Sequence, residues 1–201
     1  MNEKIIKFYL TANKLIDVVR TGWTEVNINR DRIESVAEHI YGTLILTMAI
    51  DSEKELNLDI FKVFKMIIIK KLKKVILIET TPVNNVQNDK SSKEVILEIM
   101  NGLIKENEYV SLFEEIELKE TKESKFFYEV SKLESDLQAK TYDLEGNFNL
   151  ENALSDAKNY GEELSNEIIP QIKNASDGWI LYDRKCYTDD LFIELSKNIQ
   201  E

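Results

Sequence analysis

The sequence predicts an all-α protein, and three observations carry that expectation. Only 6 glycines and 2 prolines punctuate 201 residues, too few for the frequent turns of a β-sandwich or β-solenoid. Apolar residues recur at three- and four-residue steps along most of the chain, which is the period of a helix face. They make up 43% of the residues and are spread from end to end, which suits one full core and argues against intrinsic disorder.

Residues 4–20 read as the first helix, with Ile5, Ile6, Tyr9, Leu10, Leu15, Ile16 and Val19 in periodic positions. Thr21-Gly22-Trp23 ends it, and a polar loop runs to Arg32. Glu34–Met48 carries the second pattern, with Val36, Ile40, Thr43 and Leu44 on one side. Asp51–Leu56 is a connector. Asp59–Ile78 is the most apolar stretch. Its β-branched content suits a strand, but its length and the Lys70-Lys71-Leu72-Lys73-Lys74 interruption suit a helix. Apolar on nearly all sides before Lys70, it is expected to be the central buried helix. Thr80-Thr81-Pro82 and Asn84–Asn88 read as loop. Ser91 caps a helix from Ser92 to about Lys105, and Glu94 completes a capping box. Tyr109–Glu117 and Glu123–Tyr142 are helices, and 143–149 is loop. Glu151–Lys173 and Thr188–Ile199 are the last two helices, joined by a loop or short strand around Trp179-Ile180-Leu181-Tyr182.

The formal net charge is -11, from 26 Lys+Arg and 37 Asp+Glu. That balance argues against an extended nucleic-acid track and leaves room for a local basic pocket. One cysteine cannot form an internal disulfide, so a reducing compartment is expected. One histidine excludes an all-histidine metal cage, and adding Cys186 does not make a structural zinc site, so any metal would need carboxylates. No apolar run exceeds four residues, the length of Met66–Ile69 and Val75–Ile78, far below a membrane span, and no signal peptide precedes them. A cytoplasmic location without membrane partners is the expectation.

Several segments form a larger pattern: Arg20-Thr21-Gly22-Trp23, Arg32-Ile33-Glu34-Ser35-Val36-Ala37-Glu38-His39, the apolar helix leading to Thr80-Thr81-Pro82, Leu112-Phe113-Glu114-Glu115, and Lys132-Leu133-Glu134-Ser135-Asp136-Leu137-Gln138-Ala139. From about residue 8 to residue 145 the chain resembles the HD-domain metal-dependent phosphohydrolases, specifically the YfbR-like 5'-deoxynucleotidases. The resemblance implies a single all-α HD domain of helical-bundle type over residues 1–201, with the helices of 151–201 packed on it, and a homodimer.

In that family one divalent metal is held by a histidine, a His-Asp pair and a distant aspartate. Carried over by position, only His39 remains. The His-Asp pair falls on Lys70-Lys71, the distant aspartate on Ser131, and the acidic residue one turn beyond the pair on Lys74. The family's Gly-Asp step falls on Ile78-Glu79, which keeps one acidic group and makes Glu79 the catalytic candidate if the protein is active. Protonated lysines do not ligate a cation, and an isolated histidine binds one weakly. The resemblance therefore implies a degenerate hydrolytic site that needs no cofactor.

Arg20 matches the family's phosphate-contacting arginine. Arg20, Trp23, Lys70 and Lys71 are accordingly the candidate ligand-binding residues, for a nucleotide or another phosphorylated small molecule. Competing readings stay open. Arg20 is alternatively a structural partner of Glu34 or Glu38. Lys70 or Lys71 is alternatively an internal charge replacement paired with Glu38, Glu79 or Asp136. His39 is alternatively a hydrogen-bonded core residue, and Trp23 a packing residue. At the level of function there are three readings: a non-hydrolysing binder, a phosphohydrolase with Mn, Co, Fe or Zn in a rebuilt site around His39, Glu79 and Asp136, and a purely structural protein with a filled pocket.

Overall fold

The structure is a computed structural model that describes residues 2–77 and 90–201. The expectations placed on Ile78, Glu79, Thr80-Thr81-Pro82 and Asn84–Asn88 lie outside the described residues. The fold is all-α and HD-domain-like. Among the described residues the one β feature is an isolated antiparallel bridge between Val19 and Ser35. The helices are α1 (Asn2–Asn13), α2 (Thr21–Glu25), α3 (Val36–Glu53), α4 (Ile60–Leu72), α5 (Ser92–Met100), α6 (Glu106–Leu118), α7 (Lys122–Leu144), α8 (Leu150–Ala157), α9 (Glu162–Ile168), α10 (Ala175–Arg184) and α11 (Asp190–Gln200).

Several boundaries differ from the sequence reading, among them the end of α5 at Met100 rather than near Lys105, and four of the differences have a local reason. The first helix stops at Asn13 and gives way to a 3-10 turn, Lys14–Ile16. Beyond it the backbone pairs with the segment before α3: Val36 N–H donates to Val18 C=O at 2.7 Å and Arg20 N–H to Glu34 C=O at 3.1 Å. These bonds satisfy groups that a continued helix would have used. Thr21-Gly22-Trp23, read as a helix end followed by loop, opens the short α2. The expected helix Glu151–Lys173 is divided into α8 and α9 by Gly161, whose φ of 92° a side chain would resist. Trp179–Tyr182, read as loop or strand, lies inside α10. The Asp177 carboxylate fixes the start of α10 by accepting from Asn174 N–H at 2.7 Å. A four-residue apolar run cannot by itself distinguish strand from helix.

The residues group into two compact units: Met1–Thr21 with Glu34–Tyr128, and Gly22–Ile33 with Glu129–Glu201. In the first unit α4 packs on α3 and α6, and α5 on α6. Val63, Met66 and Ile67 of α4, Ile96 and Met100 of α5, and Phe113 and Ile116 of α6 are buried. α4 is thus a core helix, but not buried on every side, since Phe61 is 80% exposed. The capping box at Ser91 and Glu94 forms as expected.

In the second unit the core gathers Trp23, Ile28, Ala139, Tyr142, Phe148, Ala153 and Ala175. Trp23 is fully buried. It meets Tyr142 edge-on at 5.4 Å and Trp179 at 4.6 Å between ring centroids. Gly22 beside it is required by close approach, because a Cβ there would lie 2.9 Å from the Trp179 ring.

Candidate functional site

The resemblance centres on the start of α3 in the first unit. Ser35 is the N-cap: its hydroxyl accepts from Glu38 N–H at 3.2 Å, and the Glu38 carboxylate accepts from Ser35 N–H at 2.9 Å. This capping box fixes the helix start and gives Glu38 a structural task. The Ser-x-x-Glu spacing was present in the sequence as a signal for it. His39 follows in the first turn and is buried. Further along, Thr43 and Thr47 donate their hydroxyls to the carbonyls one turn back, at 2.7 Å and 2.8 Å, so the buried face of α3 carries polar residues without orphaned groups.

Arg20 is brought to this turn by the bridge that pairs residues 18–20 with 34–36. Its guanidinium meets the Glu34 carboxylate at 2.8 Å, with side chains only 14% and 6% exposed. Of the two partners expected for Arg20, Glu34 is therefore one that it holds. Burial lowers the His39 pKa well below the ordinary imidazole value, and the charges of Arg20, Lys71 and Lys74 lower it further. The ring is neutral in consequence, and three cationic side chains of the first unit bear on it.

Lys70 and Lys71, onto which the resemblance carries the family's His-Asp pair, are separated by the helix twist. Lys70 turns toward α6 and the start of α7. Its ammonium pairs with Glu117 and donates to the Tyr128 hydroxyl at 3.0 Å. It also lies 5.7 Å from the centre of the Phe113 ring. Glu117 was not among the partners anticipated for it. Sequence reasoning placed Lys74 at a lost acidic position and missed its bearing on His39. The signal was its spacing, one helical turn from Lys71 on the same face.

The residues of metal-ligand type that the structure singles out are Glu34 and His39 in the first unit and Glu134 in the second, all three buried. Within the first unit an oxygen of Glu34 and a nitrogen of His39 lie within 4.8 Å. Neither Glu34 nor Glu134 was anticipated as a ligand. In sequence Glu134 stands three residues after Ser131, one turn along α7, and both are buried.

The second unit carries a separate polar network. Lys132 pairs with Asp183 at 2.5 Å. Asp136 is fully buried, its Oδ2 accepting from the Tyr187 hydroxyl at 2.7 Å. Its Oδ1 has no hydrogen-bond partner. Burial, reinforced by the Asp183 charge, pushes the Asp136 pKa well above the carboxylate range against the pull of Tyr187, Lys132 and Arg184. Glu129 holds the start of α11, accepting from Thr188 N–H and hydroxyl, each at 2.6 Å. Trp23, a candidate ligand residue, is sealed within its aromatic cluster.

Comparison with known proteins adds a family to this geometry. The profile described as an HD domain matches residues 12–173. The chain is 30% identical over 149 residues to the 5'-deoxynucleotidase HDDC2 of Dictyostelium discoideum, covering 69% of this chain and 77% of that one. It is 28% identical over 144 residues to the human 5'-deoxynucleotidase HDDC2, covering 69% and 68%. Among solved structures, a conserved hypothetical protein from Pyrococcus furiosus superposes with a TM-score of 0.58 at 28% identity, covering 72% of this chain and 88% of that one. A predicted metal-dependent phosphohydrolase from Magnetospirillum magnetotacticum gives a TM-score of 0.58 at 13% identity, covering 98% and 93%, a likeness of fold alone. No helix among the described residues is long and apolar enough to cross a membrane.

Proposed function

Because the chain belongs to the HD-domain phosphohydrolase family, alongside 5'-deoxynucleotidases, we propose that it binds a nucleotide or similarly phosphorylated small molecule without hydrolysing it. One observation carries the reading: the charges of Arg20, Lys71 and Lys74 all bear on the buried His39, the one histidine the family site retains. That field opposes a divalent cation and favours an anion. The donor set also fits a metal poorly. Glu34 already holds the Arg20 guanidinium, and three of the family's four ligand positions are Lys70, Lys71 and Ser131. Phosphate-ester hydrolysis in such a site relies on a metal to lower the pKa of the attacking water.

The test is phosphate release from deoxynucleoside monophosphates, with and without added Mn²⁺ or Co²⁺, together with thermal stabilisation by the same nucleotides. The expected result is no release above the protein-free rate. Stabilisation should reach about 2.7 kcal/mol at a hundredfold excess over Kd. Metal-dependent release would overturn the reading.

A second reading is favoured by the approach of Glu34 to His39. In it these two residues help to hold Mn, Co, Fe or Zn and a hydrolase is retained. Stoichiometric metal in the purified protein would support it. We also propose that the protein is a homodimer. The exposed face of α3 presents Tyr41, Ile45 and Met48, and no charged residue occurs from Ile40 to Ile50, which is uncommon for a face in contact with water. A mass of 23.4 kDa by light scattering, corresponding to one chain, would refute it.

A further inference from the structure

We propose that α1 lies on an anionic lipid surface, with Ile5, Ile6, Tyr9 and Leu10 entering the headgroup layer and the lysines at its edge meeting the lipid charge. What points there is a helix of 12 residues that buries none of them. A helix this short is marginal in water unless an apolar face is packed, and α1 turns its larger apolar face outward.

Phe8, Thr11 and Ala12, at three- and four-residue steps, are half-buried. They mark the side on which α1 meets α5 and the 3-10 turn Lys14–Ile16. Ile6 and Leu10 are one turn apart, with Ile5 and Tyr9 beside them, and this stripe lies round the other side. Each of the four is more than half exposed. Ile104 adds to the apolar surface. It is 95% exposed and stands two residues from Gly102, where a Cβ would lie 3.1 Å from Lys4 Cδ. Exposed aliphatic side chains gathered in this way mark an interaction surface.

The local charge identifies what covers it. The chain carries a net charge of -11, yet residues 2–17 hold Lys4, Lys7 and Lys14 against Glu3 and Asp17. Lys7 stands three residues before Leu10 and Lys14 four after it, so both border the apolar stripe along one edge. An anionic lipid surface matches each part: acyl chains take the aliphatic groups, the interface takes the Tyr9 ring, and the ammonium groups reach the headgroups on their long stems. By its rise per residue α1 is about 18 Å long, too short to cross about 30 Å of hydrocarbon. It therefore lies in the interface plane, a contact that needs no spanning run.

The test is co-sedimentation of the full chain with vesicles of phosphatidylcholine alone and of about three parts phosphatidylcholine to one of phosphatidylserine. The expected result is binding to the anionic vesicles that is about tenfold weaker without phosphatidylserine and falls at high salt. Ile6→Ser/Tyr9→Ser/Leu10→Ser should weaken it about tenfold or more, because the inserted apolar area is lost. Phe61→Ser, which removes an exposed apolar ring elsewhere in the first unit, should leave it unchanged. If the triple variant does not fold, Tyr9→Trp carries the test, since its emission should shift to the blue on the anionic vesicles. No binding to either vesicle, equal binding to both, binding indifferent to the triple substitution, or an unshifted Tyr9→Trp emission overturns the proposal. So does a triple variant whose mass by light scattering falls from two chains to one, which would show that a second copy covers this face.

Discussion

Replacing Arg20 by Met tests whether that arginine is built into the fold. The Arg20 and Glu34 side chains are 14% and 6% exposed and meet at 2.8 Å. Removing the guanidinium leaves a carboxylate that water barely reaches. Breaking a buried pair from one side costs about 3–5 kcal/mol. Residual exposure and the other interactions of Glu34 place the expectation near the lower end, about 3 kcal/mol. Methionine keeps most of the aliphatic stem, so little of the loss is packing. For a chain of this size about 3 kcal/mol corresponds to roughly 6–12 °C in Tm.

The assay is urea denaturation of wild type, Arg20→Met, Glu34→Gln and the double variant, read by circular dichroism. The double variant removes the stranded charge and is expected to recover at least half the loss, a coupling of more than about 1.5 kcal/mol. A loss below about 1 kcal/mol for Arg20→Met, or no recovery in the double variant, would refute the pairing. Arg20 would then be available to a ligand in the way the family resemblance implies.

Lys70→Met is expected to cost about 1 kcal/mol by urea denaturation, because Glu117 is 44% exposed and rehydrates, leaving mainly the lost bond to Tyr128; a loss above about 3 kcal/mol would contradict this. Asp136→Asn is expected to stabilise the protein by about 1 kcal/mol at pH 8, because the carboxyl is buried with Oδ1 unpartnered. Its folded pKa is raised, so its contribution to stability is present at acid pH and lost as pH rises through that value. The advantage of Asn should therefore vanish toward acid pH, and a variant less stable at pH 8 would show that Lys132 and Arg184 hold the charged form. Gly22→Ala is expected to cost about 1–3 kcal/mol through overpacking against Trp179, and near-UV circular dichroism should report the disturbed Trp23–Trp179 pair; unchanged stability would show that the ring yields.

The all-α class, the core position of α4 and the capping box at Ser91 were legible because each depends on local periodicity or on a cap of fixed spacing. That the set of metal ligands is incomplete was legible too, since the chain has a single histidine. The division of Glu151–Lys173 into two helices was signalled only by Gly161, and glycine within a helical pattern is often tolerated. The end of the first helix at Asn13 was not legible, because the backbone groups of Val18 and Arg20 are satisfied by Val36 and Glu34, which are distant in sequence. Trp179–Tyr182 is helical because α10 packs against α8, which a short apolar run does not disclose.

By itself the sequence determined which groups are available: one histidine, one cysteine, and adjacent lysines at 70 and 71. Residue type survives without coordinates. The tertiary structure decided what those groups meet. It sent Lys70 to Glu117 and Tyr128, bonded Arg20 to Glu34, and brought the charges of Lys71 and Lys74 to bear on His39. Adjacent lysines are equivalent in a string of letters and about 100° apart on a helix. Only the packing of that helix against its neighbours sends the Lys70 ammonium to Glu117 and the Tyr128 hydroxyl.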